Sequence, residues 1–366
     1  MNHNCHYFNQ SECLSCEGLG VGLAKWRTKS LDEIQALLPS AHWSEATLCS
    51  SAFGSRNKAK FAVGGTILEP KLGRFTSSGE VVDLKDCSLY SPAIKNIIPS
   101  LYQWISDYKL HPYDVSLKSG ELKTIIVVEG IDDSLMIRFV VRSKESLDRL
   151  QKLAKSIAMT RPQDVVSMNL QPQAKAILEG DEEIVLSELS TLRLSYNNIT
   201  LKLPTQSFVQ TNHEIASKLY LKAKQWTRDI SGNILELFCG IGGFSSHLIQ
   251  DNRKVVGIEL SASAIEAAKS SVPGASFIAM DAWEYLKTSE AFDLIVVNPP
   301  RRGLGKDICQ KILQLKPKYL LYSSCNPQTF AADLNLLGYK ISRIEAFEMF
   351  PLTNHWEVLA LLTLQD

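Results

Sequence analysis

The sequence predicts an α/β protein: a mostly parallel sheet, covered by helices and closed by an antiparallel strand, preceded by a smaller α+β region. Three observations predict it. From residue 206 onward, near-continuous apolar runs alternate with helical patterns, the texture of strands buried on both faces. A glycine-rich turn (Gly240, Gly242, Gly243) directly follows the first of those runs, and such turns let backbone approach a ligand closely. Between residues 60 and 205 the runs are shorter and partly alternating, as in a sheet half covered by helices.

A chain of 366 residues has room for two or three domains. Texture divides it at residues 1–90, 91–205 and 206–366. The first stretch is rich in cysteine and turns, with little periodicity. KFAVGG, in the part of the small β region that the first stretch includes, and TIIVVEG, LMIRFVVRS, VVSMNLQP and NITLKLP in the second read as strands, with SLDRLQKLAKSIAM as a helix. In the third, NILELFC, KVVGIEL, ASFIAMD, FDLIVVNPP and YLLYSSCNP read as parallel strands. The runs around ISRIEAFEMF and WEVLALLTL are close enough in sequence to pair antiparallel.

No apolar run approaches the roughly 18 residues of a membrane helix. The start, MNHNCHYFNQ, lacks the basic-then-apolar layout of a secretory signal, so a cytoplasmic, membrane-free protein is expected. No feature calls for a second copy, and a monomer is expected. A formal net charge of zero neither requires nor excludes nucleic acid, because a local basic patch can be balanced elsewhere. In such a chain, eight cysteines point to ligands, nucleophiles or buried thiols rather than disulfides.

The strand VVGIEL ends in Glu259, about 20 residues beyond the glycine turn, where a carboxylate suits the two hydroxyls of a ribose. Asp281 ends the next strand, placed either for an adenine or as a helix cap. The turn reads ELFCGIGGF rather than G-x-G-x-x-G. It therefore resembles the Rossmann-like methyltransferases that use S-adenosylmethionine more than the dehydrogenases.

The next two strand ends carry VVNPPRRG and YSSCNP, at the carboxyl edge of the sheet where such folds bind ligands. Two prolines stiffen Asn298-Pro299-Pro300. Amino-methylating enzymes typically follow this motif with an aromatic; here Arg301 follows. Methylation at carbon 5 of uracil needs different chemistry. A thiolate adds at carbon 6, carbon 5 then attacks the methyl donor, and a base removes the carbon 5 proton. Cys325 sits at a strand end suited to that thiolate, while Cys239, inside the glycine turn, reads as packing. Glu357, where the chain enters its last strand, suits the base, and the adjacent His355 reads as a structural hydrogen-bonding residue.

ELFCGIGG, VVNPPRRG, YSSCNP and HWE, in this order and preceded by SFVQTN at 207–212, resemble the RNA uracil-C5 methyltransferase family. The resemblance spans essentially the whole chain. It implies Cys325 as nucleophile and Glu357 as base, with Gln210, Phe238, Glu259 and Asn298 contacting S-adenosylmethionine. Many members carry Asp where this chain has Asn298, so a charge beside the sulfonium is missing here. It makes residues 206–366 the catalytic domain and 91–205 an RNA-binding domain.

Cys5, Cys13, Cys16 and Cys87 follow the spacing C-x7-C-x2-C-x70-C. Four thiolates suit zinc or a [4Fe-4S] cluster, and the spacing does not choose between them. The resemblance implies a [4Fe-4S] cluster, since the iron–sulfur members share this layout. Together with a start that leaves no room ahead of Cys5 for a separate β-barrel, it points to members acting on a uracil in a hairpin loop of domain II of 23S rRNA. Arg56, Lys58 and Lys60 alternate into a strand and so share a face, which suits phosphates; Lys123, Arg138 and Arg142 are placed to extend that patch. Phe53, Phe61 and Phe75 read as core rather than as base-stacking aromatics. The target base must leave its stack, so an RNA loop with a flipped uracil is expected.

Overall fold

The computed structural model describes residues 5–76, 78–173, 178–288 and 291–364. In chain order, the first elements are α1 (His6–Asn9), α2 (Leu23–Gln35), β1 (Lys58–Gly65), β2 (Pro70–Phe75), β3 (Val81–Asp83), α3 (Pro92–Asp107), β4 (Leu122–Glu129) and β5 (Leu135–Val141). Next come α4 (Leu147–Thr160), β6 (Val165–Leu170), β7 (Glu182–Val185), β8 (Thr191–Tyr196), β9 (Ile199–Pro204) and α5 (His213–Thr227). The remainder is β10 (Gly232–Leu237), α6 (Gly243–Leu248), β11 (Arg253–Glu259), α7 (Ala262–Ser271), β12 (Ser276–Ala279), α8 (Ala282–Lys287) and β13 (Leu294–Val297). It closes with α9 (Gly305–Leu315), β14 (Tyr319–Ser324), α10 (Pro327–Leu337), β15 (Lys340–Phe347) and β16 (Glu357–Thr363).

These elements form two compact units. One comprises residues 1–15, 53–194 and 204–206, the other residues 16–52, 195–203 and 207–366.

The first unit is built on a seven-stranded sheet ordered β3-β2-β1-β4-β5-β6-β7. All its pairings are antiparallel except β5 with β6. Its core joins alternate strand residues such as Phe61, Ile125 and Phe139 to the apolar stripes of α3 and α4. α3 was not foreseen, because Pro99 inside the segment reads as a breaker. Tertiary packing overrides it: Ile94, Ile97, Ile98, Leu101 and Ile105 fall on one buried face. Ser91 caps the helix by accepting from Ile94 N, and Pro92 occupies the first turn.

The second unit carries a seven-stranded sheet ordered β12-β11-β10-β13-β14-β16-β15. β10 to β14 run parallel, and β16 inserts antiparallel between β14 and β15. The expected antiparallel closure is present. What the sequence did not reveal is the contribution of residues 16–52. Far from being turn-rich throughout, this stretch holds α2, whose Ile34 joins the buried core of the sheet. Residues 43–47 then run parallel along the edge strand, with Ser44 N donating to Ile344 O at 2.9 Å and Thr47 N to Ala346 O at 2.8 Å. That covers an edge that would otherwise be open to pairing.

Candidate active site

β14 ends at Ser324 because the next residues satisfy a helix start. Asn326 caps α10 by accepting from Gln328 N, and Pro327 takes the first turn. Cys325 is left in the short turn between strand and helix. Asn326 also donates Nδ2–H to Arg301 O at 2.9 Å, and Thr329 Oγ1 donates to the same carbonyl at 3.2 Å. The turn holding Cys325 is thus tied to the loop after β13, which begins at Asn298. Asp333, buried in α10, accepts from Leu304 N at 2.7 Å, Gly305 N at 3.2 Å and Tyr322 Oη at 2.6 Å, so the far end of that loop is fixed as well.

Glu357 begins β16. The β14–β16 register pairs Ser324 with Val358 and Ser323 with Leu359. The ladder ends there, with Cys325 the next residue after Ser324 and Glu357 the residue before Val358, and the Glu357 charge acts on the Cys325 thiol. Glu357 is 1% exposed. Ser323 Oγ donates to its Oε1 at 2.5 Å, while Oε2 has no hydrogen-bond partner among the described residues. Burial pushes Glu357 up to about 7, partly opposed by the Ser323 bond. The Cys325 thiol is also raised, by burial and then by the Glu357 charge; Arg301 works against both through its charge and a hydrogen bond. A thiol and a buried carboxyl group with an unpartnered oxygen therefore lie at one end of the sheet, and the Arg301 cation bears on the thiol.

Cys325 lines a cavity of about 310 Å³ together with Arg301, Gln328, Asn354 and His355, and with Ser30 and Glu33 of α2. His355 donates its backbone N–H to Thr353 Oγ1 at 3.1 Å and sets its ring edge-on to Phe350.

The glycine turn forms the second part of the site. Phe238 adopts φ +60°, a left-handed conformation costly for a residue with a Cβ. Such strain concentrates where surrounding structure enforces a binding geometry. A Cβ on Gly243 would lie 2.6 Å from Tyr220 Oη, so glycine is required by close packing there. Glu259 accepts from Gly240 N at 3.3 Å and Ser261 N at 3.0 Å, bracing the turn from the neighbouring strand. A small cavity beside it is lined by Gln210, Phe238, Gly240 and Asn298, with Phe208. Four candidate cofactor residues thus fall within this unit, three of them around one cavity and Glu259 behind the turn. Asp281 serves as the cap of α8, accepting from Trp283 N and Glu284 N. Cys239 is buried and its thiol raised by burial, as expected of a packing residue.

A family model for tRNA (uracil-5-)-methyltransferases matches residues 140–365. The chain is 39% identical over 98% of its length to a 23S rRNA (uracil(747)-C(5))-methyltransferase RlmC of Shewanella baltica, covering 96% of that protein. The chain belongs to the RNA uracil-C5 methyltransferase family. The corresponding protein of Shewanella loihica is likewise 39% identical, with 98% of both chains covered. The crystal structure of a Pyrococcus abyssi tRNA (uracil-54, C5)-methyltransferase in complex with S-adenosyl-L-homocysteine shares the fold, with a TM-score of 0.80 at 24% identity, covering 93% of this chain and 84% of that one. This methyltransferase family thus accounts for the architecture on which Cys325 and Glu357 sit.

Cys5, Cys13, Cys16 and Cys87 are half-buried and outside any disulfide. Tyr7, two residues beyond Cys5, accepts at its Oη from Asp86 N at 3.2 Å, which draws the start of the chain to the Cys87 turn. Cys87 is raised by burial and, further down, by the charges of Cys13 and Cys5. Burial opposes ionisation of Cys13, but bonds from Ser15 and the Arg74 guanidinium bring its thiol below the ordinary value. Cys16 opens the 3-10 turn Glu17–Gly20. No group of three or more His, Cys, Asp or Glu among the described residues is arranged to hold a metal ion.

The expected extension of the basic patch is corrected. Arg138 is 2% exposed and clamped between Glu183 and Glu179 at 2.5–2.8 Å. Arg142 pairs with Glu121 at 3.0 Å, and Lys123 Nζ donates to Gln171 O at 2.7 Å and Gln173 O at 2.9 Å. Lys60 meets Glu179 at 2.8 Å. Phe61 is fully buried, as expected, whereas Phe75 is 40% exposed. Sequence reasoning missed the bearing of Arg301 on Cys325 and the bond of Ser323 to Glu357. The signal was available: both residues lie inside the motifs, Arg301 in the loop after β13 and Ser323 on β14. Among the described residues no helix is long and apolar enough to cross a membrane.

Proposed function

We propose that this chain methylates carbon 5 of a uridine in 23S rRNA, at a hairpin-loop site of the uracil-747 type, through a transient bond between Cys325 and carbon 6 of the base. The observation that supports this reading is the register of β14 and β16, whose last pair, Ser324 with Val358, is followed on one side by Cys325 and preceded on the other by the buried Glu357. S-adenosylmethionine, when bound, supplies the methyl group. Gln210, Phe238, Glu259 and Asn298 are proposed to hold it, and the open space beside Gly240, where a Cβ would meet nothing within 4 Å, suits such a ligand. Arg301 stabilises the Cys325 thiolate that attacks carbon 6. The electrons reach carbon 5, which would form the new carbon–carbon bond as the methyl group's bond to the sulfonium sulfur breaks, its electron pair staying on sulfur to leave S-adenosylhomocysteine. Glu357 then takes the carbon 5 proton on Oε2, and the thiolate leaves as the ring double bond re-forms. Ser323 keeps Oε1 occupied, so the proton has one place to go.

The test uses a 23S rRNA hairpin fragment containing the target uridine. The parent protein forms 5-methyluridine, and Cys325→Ala forms none. With 5-fluorouridine in place of the target, the parent gives a stable adduct mapping to the 322–327 peptide. Methylation by Cys325→Ala at the parent rate sinks the covalent route. Transfer to tRNA or to a different rRNA position alone replaces the substrate assignment, and binding without transfer by the parent leaves a non-catalytic RNA-binding protein.

A [4Fe-4S] cluster on Cys5, Cys13, Cys16 and Cys87 belongs to the same reading. Four half-buried cysteines outside any disulfide, one of them eased toward thiolate under Arg74, are a donor set that suits it. Protein purified without oxygen is expected to be brown and to hold four irons and four sulfides. A colourless protein with stoichiometric zinc overturns this assignment.

A further inference from the structure

We infer that residues 17–30 are a brace that positions the general base, acting through the loop 348–356 that leads into Glu357. The inference rests on the proposed function, because it takes Glu357 as the base. The loop has reason to need a brace. Leu352 adopts φ +67°, a conformation that residues with a Cβ avoid, and short turns through Thr353 are its internal support. Thr353 Oγ1 donates to Phe350 O at 2.8 Å and accepts from His355 N at 3.1 Å.

The external support comes from the amino-terminal segment, at five points. Gly18 N donates to Leu352 O at 3.1 Å, which satisfies the carbonyl of the strained residue. Trp26 Nε1 donates to Thr353 O at 3.3 Å. Asn354 Nδ2 donates to Glu17 Oε2 at 3.1 Å. Arg27 forms a two-pronged pair with Glu348, at 2.7 and 2.6 Å, and also donates to Cys49 O at 2.9 Å. Finally, Trp356 Nε1, on the residue before Glu357, donates to Ser30 Oγ at 3.1 Å inside the core. Bidentate guanidinium–carboxylate geometry fixes orientation as well as distance. Within the sheet Glu357 pairs with Phe347 and accepts from Ser323; these five points, with Cys49 N on Glu348 and Asn212 on Met349 O, set the approach of the chain to it.

Arg27 and Ser30 are positioning residues: they act through the loop. The reaction has two parts that a misplaced base affects differently. Thiolate addition and methyl transfer do not need Glu357; proton removal does. A 5-fluorouridine substrate stops before that removal. Arg27→Lys keeps the charge beside Glu348 and loses the fork. Ser30→Ala orphans the Trp356 N–H. For both variants, turnover on uridine RNA is expected to fall by about ten- to a hundredfold, the scale of a small misplacement of a reacting group. KM for RNA, and the rate of adduct trapping on 5-fluorouridine RNA, are expected to stay at parent values. The pH at which turnover reaches half its plateau is expected to move in Ser30→Ala. Turnover and trapping falling together would show a merely structural role, and neither falling would show that the bonds are idle; either overturns the brace. A parent that neither methylates nor traps would sink the functional reading, and the brace with it.

Discussion

Two groups of buried carboxylates, one in each unit, hold charge in opposite ways, although the second unit also contains the paired Arg27–Glu348. In the first unit Arg138 lies between Glu183 and Glu179, Lys60 reaches Glu179, and Ser167 and Asn169 supply further donors to Glu183. Both carboxylates of that group have a cation, and Glu179 is held down to about 2, where Arg138 and Lys60 outweigh the burial that opposes them. In the second unit Glu236 and Glu357 are each 1% exposed, and no ion pair reaches either among the described residues. Burial pushes both up to about 7. Compensated charge makes a rigid joint; uncompensated charge stores a proton that a reaction can use. Glu236 refines the lesson, because two donations from Ser245 stand in for its missing cation. Glu357 Oε2 has no such substitute, which is what a base awaiting a substrate proton requires.

The sharpest way to break this contrast is Glu357→Gln. Turnover on uridine RNA is expected to drop by about 10²–10⁴-fold, the usual worth of a general base, while 5-fluorouridine trapping persists. Stability moves the other way. The folded pKa of Glu357 is raised from 4.5 to about 7. The stability associated with its neutral form is therefore complete below 4.5 and lost as pH rises through about 7. Above that pH, Glu357→Gln is expected to unfold at a higher urea concentration than the parent. A midpoint below the parent's at pH 8 would mean that the buried carboxylate is compensated after all. The same titration predicts that parent turnover rises toward a plateau above about pH 7.

This contrast was only half visible in the sequence. The parallel strands and the reacting turn were legible because glycine, proline and cysteine mark strand ends whatever the rest of the fold does. The β14 and β16 runs could be seen, yet their register could not, and it is the register that brings the end of β14, next to Cys325, to the start of β16 at Glu357. α2 was hidden because its buried face is narrow, carrying Trp26, Ser30 and Ile34, with a serine where periodicity looks for an apolar residue. Arg138 was misread for a related reason. It sits in LMIRFVVRS, where an arginine between apolar neighbours reads as solvent-facing. Its partner Glu183 lies on β7, two strands away in the order β5-β6-β7, and no local pattern announces a partner that distant.

Arg138→Ala sharpens the other side of the comparison. It leaves Glu183 buried with no cation and Glu179 with Lys60 alone, and removing one member of such a group costs about 3–5 kcal/mol. The pH dependence gives the signature. The folded pKa of Glu179 is lowered from 4.5 to about 2, so its stabilisation is present above 4.5 and is lost as pH falls toward about 2. Without Arg138 that acid limb should largely disappear from the stability profile. An unchanged urea midpoint with weakened RNA binding would instead return Arg138 to the basic patch that the sequence reading assigned it.

The smallest effect is expected at Ser245, and it tests whether hydrogen bonds can replace a counter-ion. Ser245 donates both its N–H and its hydroxyl to Glu236 Oε2, tying β10 to the first turn of α6. Both bonds favour the ionised carboxylate, against the burial that raises it to about 7. Ser245→Ala removes the hydroxyl and keeps the N–H, so Glu236 should bind its proton more tightly still. The cost should therefore depend on pH. At pH 8 the parent holds an ionised group that the variant supports less well, and a loss of about 1–2 kcal/mol is expected, in the range for a charged hydrogen bond. At pH 6 both proteins hold the neutral acid, and most of that loss should vanish. Urea midpoints at the two pH values decide it: an equal loss at both would mean that the hydroxyl serves the helix turn alone, and that Glu236 is stabilised by something other than these two donors.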